Sequence, residues 1–310
     1  MKKIIISTIV LISIPFFIVV FYKENSYKEE IIDLKYYSSI VVRVKRVNKD
    51  RIDNVMLEDY VVGAVAGEMP VSFDIEALKA QAVASRSYVL KKINDNKDGT
   101  YDVVDTTTNQ VYLDLDDLRK SWGSNFVSYL NRVRSAVNDT SLEYLEYDGN
   151  IANTMFFSTS NGYTEDCATV FSSDVPYLRS VESSWDASVN SNFNYSKKIS
   201  LSTFYSKLGL NYRDKLVVSV LERSSSKRIT SISINGVKFS GKDIYNKLGI
   251  RSLDFDIIQD NNDVIINTRG FGHGVGMSQY GAYGMALDGY NYKEILNHYY
   301  KGTVLKKINV

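Results

Sequence analysis

One carboxyl group stands out in this sequence because small apolar residues surround it. Glu68 is the only charged residue between Asp59 and Asp74, and Pro70 follows closely. Burial disfavours the charged form of a carboxyl group and raises its pKa. An acid that stays protonated near neutral pH can act as a general acid. In the alternative interpretation Glu68 only ends a helix and faces solvent, and spacing alone leaves both interpretations open.

A second chemical group, Arg86, follows within a segment typical of a helix. A guanidinium can hold a carboxylate through two parallel hydrogen bonds. Arg86 is therefore a candidate to fix a substrate or to pair with Glu68. The alternative is an arginine on the protein surface.

A run of hydroxyl side chains, which begins at Ser158, follows the end of a predicted strand. Ser158, Ser160 and Tyr163 lie in this run, which turns at Gly162. Hydroxyl and amide groups beside a tyrosine can bind a sugar. In the alternative interpretation they satisfy their own backbone in a turn. A serine nucleophile would need a histidine, and no histidine lies nearby in the sequence.

Four alternating glycines lie at residues 270–276, between a predicted strand and a predicted helix. Their spacing does not match the dinucleotide-binding pattern, and the lysine of a phosphate-binding loop is missing. A nucleotide-dependent enzyme is therefore disfavoured. The glycines instead allow the backbone to approach a ligand or to pack tightly. They present His273 in the turn, and Ser278 and Gln279 follow.

Composition limits the classes of protein that remain. The chain has 310 residues, which suggests about two domains or one large domain with insertions. A net charge of +1 provides no overall attraction to nucleic acid, so no nucleic-acid partner is expected. The single Cys167 excludes an internal disulfide and a zinc site built from several cysteines.

The N-terminus predicts a membrane anchor. Residues 4–22 carry no charge, and a helix of about 20 apolar residues spans a bilayer core. We predict a transmembrane anchor at 1–22, a juxtamembrane segment at 23–38 and an extracytoplasmic domain at 39–310. Lys2 and Lys3 favour a cytoplasmic N-terminus. A cleaved signal peptide is the alternative, although no typical cleavage site follows.

Beyond the anchor, the patterns predict an α+β fold, one extended mixed α/β catalytic unit with β-rich insertions. Residues 40–47 alternate as a half-buried strand. Residues 57–66 and 75–92 have helical spacing, with Asp74 as N-cap of the second helix. A hairpin at 229–239 turns at an Asn-Gly pair. Residues 278–300 predict two helices broken at a glycine.

Three segments, in this order, resemble the stage II sporulation protein D family, also described as the amidase-enhancer-type sporulation domain. They are Gly67-Glu68-Met69-Pro70, Leu78-Lys79-Ala80-Gln81-Ala82-Val83-Ala84, and Gly272-His273-Gly274-Val275-Gly276-Met277-Ser278-Gln279. The combination is highly specific, and the resemblance extends from about residue 40 to residue 305.

The resemblance implies a single-pass membrane protein with peptidoglycan lytic transglycosylase activity in forespore engulfment, on the mother-cell side. Its substrate would be glycan strands freed of peptide, cut between N-acetylmuramic acid and N-acetylglucosamine to leave 1,6-anhydro ends. The implied partners are a cell-wall amidase and a third membrane sporulation protein. The alternative function is a non-catalytic glycan-binding module that recruits and stimulates the amidase.

Carried over residue by residue, the family's catalytic glutamate is Glu68 and its important helix arginine is Arg86. The other candidates for binding the glycan strand are Gln81, Ser158, Ser160, Tyr163, His273, Ser278 and Gln279.

The sequence departs from the family pattern at Phe157, where a histidine is expected. Some relatives use His and Cys near this position for zinc, but here Cys167 stands alone. A zinc site needs about four ligands, of which protein side chains usually supply three or more. We therefore predict that no metal and no cofactor is bound.

Overall fold

The structure, a computed structural model, describes residues 30–35, 38–171 and 173–309. The predicted anchor at 1–22 and most of the predicted juxtamembrane segment lie outside the described residues. Within the described ranges, none of the helices combines the length and the apolar character that crossing a bilayer requires. The mixed α/β class predicted from the sequence is confirmed.

The first half of the chain builds a small sheet and a group of helices. Its elements are β1 (Val41–Arg46), β2 (Arg51–Met56), α1 (Leu57–Glu68), α2 (Ile75–Asp95), β3 (Val103–Val104), α3 (Leu115–Trp122), α4 (Phe126–Asp139) and β4 (Glu143–Tyr147). Strand β1 pairs antiparallel with β2 and parallel with β3. Val42 and Val44 of β1 are fully buried, which confirms the predicted half-buried strand.

Helix α2 lies at the centre of the main hydrophobic core. The Asp74 side chain accepts a hydrogen bond from the backbone N–H of Glu76 at 2.9 Å, so the predicted N-cap is confirmed. Helix α2 is rich in alanine, and its apolar residues from Ala77 to Leu90 are buried. Small side chains let α1, α4 and β4 pack closely around it.

The next segment consists of short elements that carry the hydroxyl run. They are β5 (Asn150–Ile151), β6 (Phe156–Phe157), β7 (Gly162–Tyr163), α5 (Cys167–Phe171), β8 (Glu182–Ser183) and α6 (Asp186–Val189). Some polar side chains of this segment form hydrogen bonds within it, and others reach residues outside it, as Asn161 does with the Ser226 carbonyl. Within the segment, the Ser160 hydroxyl donates to the carbonyl of Ser183 at 2.8 Å.

Residues 194–269 form a β-rich insertion with a hydrophobic core of its own. Its elements are β9 (Asn194–Ser200), α7 (Leu201–Leu208), β10 (Val218–Arg223), β11 (Ile229–Ile234), β12 (Val237–Ser240), α8 (Gly241–Leu248), β13 (Phe255–Asp260) and β14 (Asp263–Arg269). The sheets have the orders β10-β11-β12 and β13-β14-β9. The predicted hairpin is β11–β12, and Asn235 and Gly236 adopt positive φ at its turn.

The C-terminal residues return to the main core. Their elements are β15 (Met277–Ser278), α9 (Gln279–Leu287), α10 (Tyr292–Tyr299) and β16 (Val304–Lys307). The two helices are separated at Gly289, as the sequence predicts. Strand β15 pairs parallel with β6, and β16 pairs antiparallel with β4. The glycine segment (residues 270–276) and the hydroxyl segment (residues 158–163) are distant in sequence. These pairings bring them side by side.

A buried ion pair joins α1 to α2. The Arg86 guanidinium donates from Nε to Glu58 Oε1 at 2.8 Å and from Nη2 to Oε2 at 2.6 Å. Its Nη1 donates to the carbonyl of Glu143 in β4 at 2.9 Å. Both side chains are almost completely buried. The predicted pairing of Arg86 with Glu68 is therefore wrong: the fully buried guanidinium donates instead to Glu58 and to the Glu143 carbonyl of β4.

Replacing Glu58 by glutamine should lower the free energy of unfolding by about 3–5 kcal/mol, because Arg86 would keep a buried charge without a counter-ion. Chemical denaturation of the two proteins measures this difference. The exposed Glu222 of β10 provides a matched control, and Glu222→Gln should change stability by less than about 0.5 kcal/mol. Equal effects of the two substitutions would contradict the prediction.

Candidate active site

Glu68 is the last residue of α1, where Met69 and Pro70 end the helix. Its carboxyl group is half-buried, and Oε1 accepts a hydrogen bond from the Val111 backbone N–H at 2.5 Å. Burial raises the pKa of Glu68 to about 7, although hydrogen bonds from Val111 and the Gln279 side chain act in the opposite direction. The negative end of the helix dipole also disfavours a carboxylate here. The fold thus holds an acid that is partly protonated at neutral pH.

Two glycines of α1 allow the segment before α3 to lie directly against the helix. A Cβ atom at Gly63 would come within 2.4 Å of the Tyr112 ring, and one at Gly67 within 2.6 Å of the Val111 carbonyl oxygen. Because the glycines lie four residues apart, they share one helix face. This close approach is what delivers the Val111 N–H to Glu68.

Two glutamines meet beside the main chain of Glu68. Gln279, the first residue of α9, donates from Nε2 to the Glu68 carbonyl oxygen at 3.0 Å, and the same Nε2 lies 3.4 Å from Gln81 Oε1. Gln81 in turn donates to the Ser85 hydroxyl at 3.0 Å. The structure therefore brings Gln81 and Gln279 to Glu68, and both side chains are buried.

A buried carboxylate fixes the start of α9. Asp186 accepts hydrogen bonds from the backbone N–H of Ser160 at 2.7 Å and from the hydroxyl groups of Ser160, Ser183 and Ser278. Ser278 also caps α9 by accepting from the Gly281 N–H at 3.3 Å. Ser160 and Ser278 are fully buried in this network. Their contacts therefore place the helix that carries Gln279.

The alternating glycines pack against the hydroxyl segment. Positive φ angles occur at Gly270, Gly272, Gly274 and Gly276, and a Cβ at Gly276 would lie 1.9 Å from the Met155 carbonyl oxygen. Other side chains would clash or strain the backbone, which confirms tight packing as the reason for these glycines. Ser158 of this segment is half-buried, and its carbonyl accepts from Tyr280 N–H at 3.0 Å.

His273 lies between the rings of Phe157 and Phe171, with centroid distances of 5.7 and 5.4 Å. Its Nδ1 accepts a hydrogen bond from the Val275 N–H at 3.0 Å. Burial lowers the pKa of His273 to about 4, so the ring is neutral at physiological pH. Tyr163 lies farther along this side, where it is partly exposed and the Lys227 ammonium stands over its ring.

Two tyrosines near Glu68 are not singled out by any sequence motif. Burial raises the pKa of Tyr60 and of Tyr88, and the charge of Glu68 acts in the same direction on both. Tyr88 lies seven residues after Gln81 in α2, and that spacing places the two on one helix face. The seven-residue spacing from Gln81 could therefore have identified Tyr88 from the sequence. Nothing comparable in the sequence points to Val111 or Asp186.

In the described part of the chain, no three His, Cys, Asp or Glu side chains are arranged to hold a metal ion. Cys167 is buried, and Phe157 stands where the resemblance led us to expect a histidine. These residues do not fit a zinc site. That the protein binds no zinc stays a prediction, which elemental analysis of the purified protein tests.

Comparison with known proteins places the chain among sporulation proteins. A family model described as Stage II sporulation protein matches residues 45–147. Stage II sporulation protein D of Bacillus amyloliquefaciens is 40% identical over 86% of this chain and 78% of its own length. The protein of the same name from Bacillus subtilis is 37% identical, over 87% of this chain and 80% of its own length. An amidase enhancer of Bacillus subtilis is 29% identical over 78% of this chain and 40% of its own length.

Replacing Gly67 by alanine should destabilise the protein by about 1–3 kcal/mol, because the new Cβ forces the Val111 carbonyl away. The same displacement should weaken the hydrogen bond between Val111 and Glu68. Thermal or chemical unfolding measures the loss. An unchanged free energy of unfolding would show that the segment around Val111 can shift away from the new Cβ without destabilising the protein.

Glu68 should make stability depend on pH. Its pKa is raised from 4.5 in the unfolded chain to about 7 in the fold, so the folded state binds the proton more tightly. The stabilisation is complete below about pH 4.5 and is lost as the pH rises through about 7. At about 1.4 kcal/mol per pKa unit, the loss amounts to about 3 kcal/mol.

Unfolding of wild type and Glu68→Gln should be compared by denaturant titration from pH 4.5 to pH 8. We expect the stability difference to shift in favour of the Gln variant across this range. A difference that does not depend on pH would mean that the pKa of Glu68 is ordinary.

Proposed function

Because the chain belongs to the stage II sporulation protein D family, we propose that it is a lytic transglycosylase of peptidoglycan that acts during forespore engulfment. The observation that carries this proposal is Glu68, an acid with a pKa near 7 at the end of an apolar helix. In the described part of the chain, its hydrogen bonds come from amides, and no second carboxyl group is among its partners. Such a site suits a reaction that needs one acid.

The reaction follows from this single carboxyl group. Ordinary glycosidases use two carboxyl groups, one on each side of the bond. In our proposal Glu68 donates its proton to the glycosidic oxygen between N-acetylmuramic acid and N-acetylglucosamine as that bond breaks. The resulting carboxylate then accepts the proton of the C6 hydroxyl, whose oxygen bonds to C1 of the same muramic acid. The ring closure is intramolecular and therefore needs no water.

The surrounding residues divide into those that hold Glu68 and those that remain available to the strand. The buried Gln81, Gln279, Ser160 and Ser278 support Glu68 and the start of α9. The partly accessible Ser158, Tyr163 and His273 are our proposed contacts with the glycan. Arg86 acts through the fold, because its hydrogen bonds are spent on Glu58 and β4.

The cellular setting is part of the proposal. We propose that residues 1–22 anchor the chain in the cell membrane, with the N-terminus in the cytoplasm and residues 39–310 outside, facing glycan strands from which peptides have been removed. A cell-wall amidase and a third membrane sporulation protein are the proposed partners. The amidase enhancer that shares 29% identity with this chain supports the link to an amidase.

That same relative favours a second function. A module without catalytic activity could hold glycan and stimulate an amidase, and the name of the relative describes such an effect. The two functions differ in what they require of Glu68. An enzyme needs its proton, whereas a binding module tolerates the uncharged isostere.

Replacing Glu68 by glutamine should lower the rate of glycan cleavage by at least about 10²–10⁴-fold, because Gln cannot donate the proton. The full chain, purified in detergent, is incubated with peptide-free glycan strands, and the products are identified by mass spectrometry. Wild type should yield ends of 1,6-anhydro-muramic acid. Glu222→Gln is the control and should cut at the wild-type rate.

Three results would contradict the proposal in different ways. Cleavage by Glu68→Gln at the wild-type rate would remove Glu68 from the chemistry. Reducing ends in place of anhydro ends would indicate a hydrolase with a second carboxyl group. Absence of cleavage, with glycan still bound, would favour the binding module.

A further inference from the structure

The first described residues of the chain, 30–35, lie along helix α4, and we call them the N-terminal segment. Two asparagine side chains of α4 bind its main chain. Each accepts from one N–H and donates to one carbonyl at 2.7–3.0 Å: Asn131 with Ile32 and Glu30, and Asn138 with Lys35 and Asp33. Because the two asparagines lie seven residues apart, they share one face of the helix. The segment is therefore fixed at two points.

The N-terminal segment runs in the same direction as α4. Its start is bound at Asn131 and its end at Asn138. Between them, Arg134 donates from Nη1 to the Ile32 carbonyl at 2.7 Å, and Leu34 is buried in the main core. Followed toward the N-terminus of the chain, the segment therefore leads to the start of α4.

The proposed anchor lies close to this end of α4. Residues 23–29 separate it from the N-terminal segment, and even when fully extended they cover at most about 30 Å. A helix rises about 1.5 Å per residue, so Asn131 lies about 8 Å along the axis from Phe126, the first residue of α4. The first turn of α4 is therefore within reach of the bilayer surface.

The start of α4 and the adjoining end of α3 present aromatic and basic side chains. Tyr129 is 38% exposed, and its ring meets the half-buried Trp122 ring edge-on, with 5.7 Å between the centroids. Arg119 and Lys120, in the last turn of α3, are exposed. The Arg119 guanidinium lies 4.2 Å from the centroid of the Phe126 ring. We call Arg119, Lys120, Trp122 and Tyr129 the corner patch.

The acidic residues of α3 lie at the start of that helix, whereas the corner patch lies at its end. Asp114 and Asp117 form ion pairs with basic residues of the β1–β2 hairpin. Asp116 is exposed and offsets part of the positive charge of the corner patch. Two basic groups thus stand against one carboxylate, which suits an anionic surface.

We propose that the corner patch docks on the membrane surface, with the rings of Trp122 and Tyr129 at the level of the lipid headgroups and with Arg119 and Lys120 beside lipid phosphates. Trp and Tyr have an apolar body and a polar tip, and they are enriched at bilayer interfaces for that reason. Basic side chains are attracted to anionic lipids. The inference rests on the anchor at 1–22, which is part of the proposed function.

Docking would also set the height of the candidate acid above the bilayer. Arg132, next to Asn131 in α4, donates to the carbonyls of Val71 at 2.9 Å and Phe73 at 2.7 Å, in the turn that follows Glu68. Helix α4 therefore binds both the segment that leads to the membrane and the turn after the acid. A docked α4 would restrict the site to glycan near the membrane.

The two tryptophans of the chain provide the test. Trp185→Phe leaves Trp122 as the only indole, and Trp122→Phe leaves Trp185, which packs on Gly284 of α9 outside the corner patch. The full chain is reconstituted into phosphatidylcholine vesicles containing phosphatidylglycerol, with and without lipids brominated near the headgroup. We expect bromine to lower the emission of Trp122 by about half or more, because a ring at headgroup level contacts these lipids. The emission of Trp185 should not change.

Charge variants separate docking from simple proximity to the bilayer. In the Trp185→Phe background, replacing Arg119 and Lys120 together by glutamine should reduce the quenching of Trp122 to its level in pure phosphatidylcholine. Replacing Lys238 and Lys242, both exposed in the β-rich insertion, is the matched control and should leave the quenching unchanged. If Trp185→Phe fails to fold, the difference in quenching between wild type and Trp122→Phe reports Trp122 instead.

The anchor and the docking surface fail separately. Flotation of the vesicles shows whether the chain is inserted. A chain that floats, but whose Trp122 is quenched no more than Trp185, overturns the docking and leaves the corner patch to a protein partner. Equal quenching before and after loss of Arg119 and Lys120 overturns the role of charge. A chain that does not float overturns the anchor and the docking together, and cleavage of glycan is measured independently of both.

Discussion

The buried ion pair between Glu58 and Arg86 is the constraint on which the rest of the structure depends. It holds the first turn of α1 against the middle of α2. A third N–H of Arg86 donates to the Glu143 carbonyl, which attaches β4 to the same two helices. A buried pair of this kind contributes little net stability compared with apolar residues, but it strongly penalises any arrangement that separates the partners. Helix α1 therefore has one position on α2, and its far end carries Glu68.

The position of α1 explains the unusual acid. Glu68 ends a helix whose residues from Tyr60 to Val65 are buried in the core, and its own side chain is partly buried. The two glycines of α1 bring the Val111 backbone over it from the other side. Among the residues that the structure describes, Val111 and Gln279 supply amide donors and no positive charge acts on the pKa of Glu68, so burial is the dominant influence on it. The buried ion pair and the candidate acid thus lie at opposite ends of α1.

Local patterns were sufficient to predict much of the fold. The N-cap at Asp74, the hairpin of β11 and β12, and the break at Gly289 depend on residues close together in sequence. The partner of Arg86 could not be predicted in this way. Glu58 and Glu68 are both acids of the same helix, and only the packing angle between α1 and α2 decides which one meets the guanidinium.

The supporting residues of the site escaped prediction for a similar reason. Val111 contributes a backbone N–H. Any residue except proline could supply this group, so the residue type does not reveal it. Asp186 is one acid in a polar stretch. Its role depends on hydrogen bonds from three serines that are up to 118 residues apart in the chain. The pairing of β6 with β15 brings Ser278 close to Ser160, and the pairing of β7 with β8 brings Ser183 there.

The glycine segment, residues 270–276, links the β-rich insertion to β15 and α9. Within this segment Gly274 packs against Arg228, and the C-terminal end leads through β15 into Gln279 beside Glu68. Its backbone follows the hydroxyl segment closely because side chains are absent at alternate positions. These contacts fix the position of the β-rich insertion relative to the helix that ends with Glu68. The insertion nevertheless has a hydrophobic core of its own.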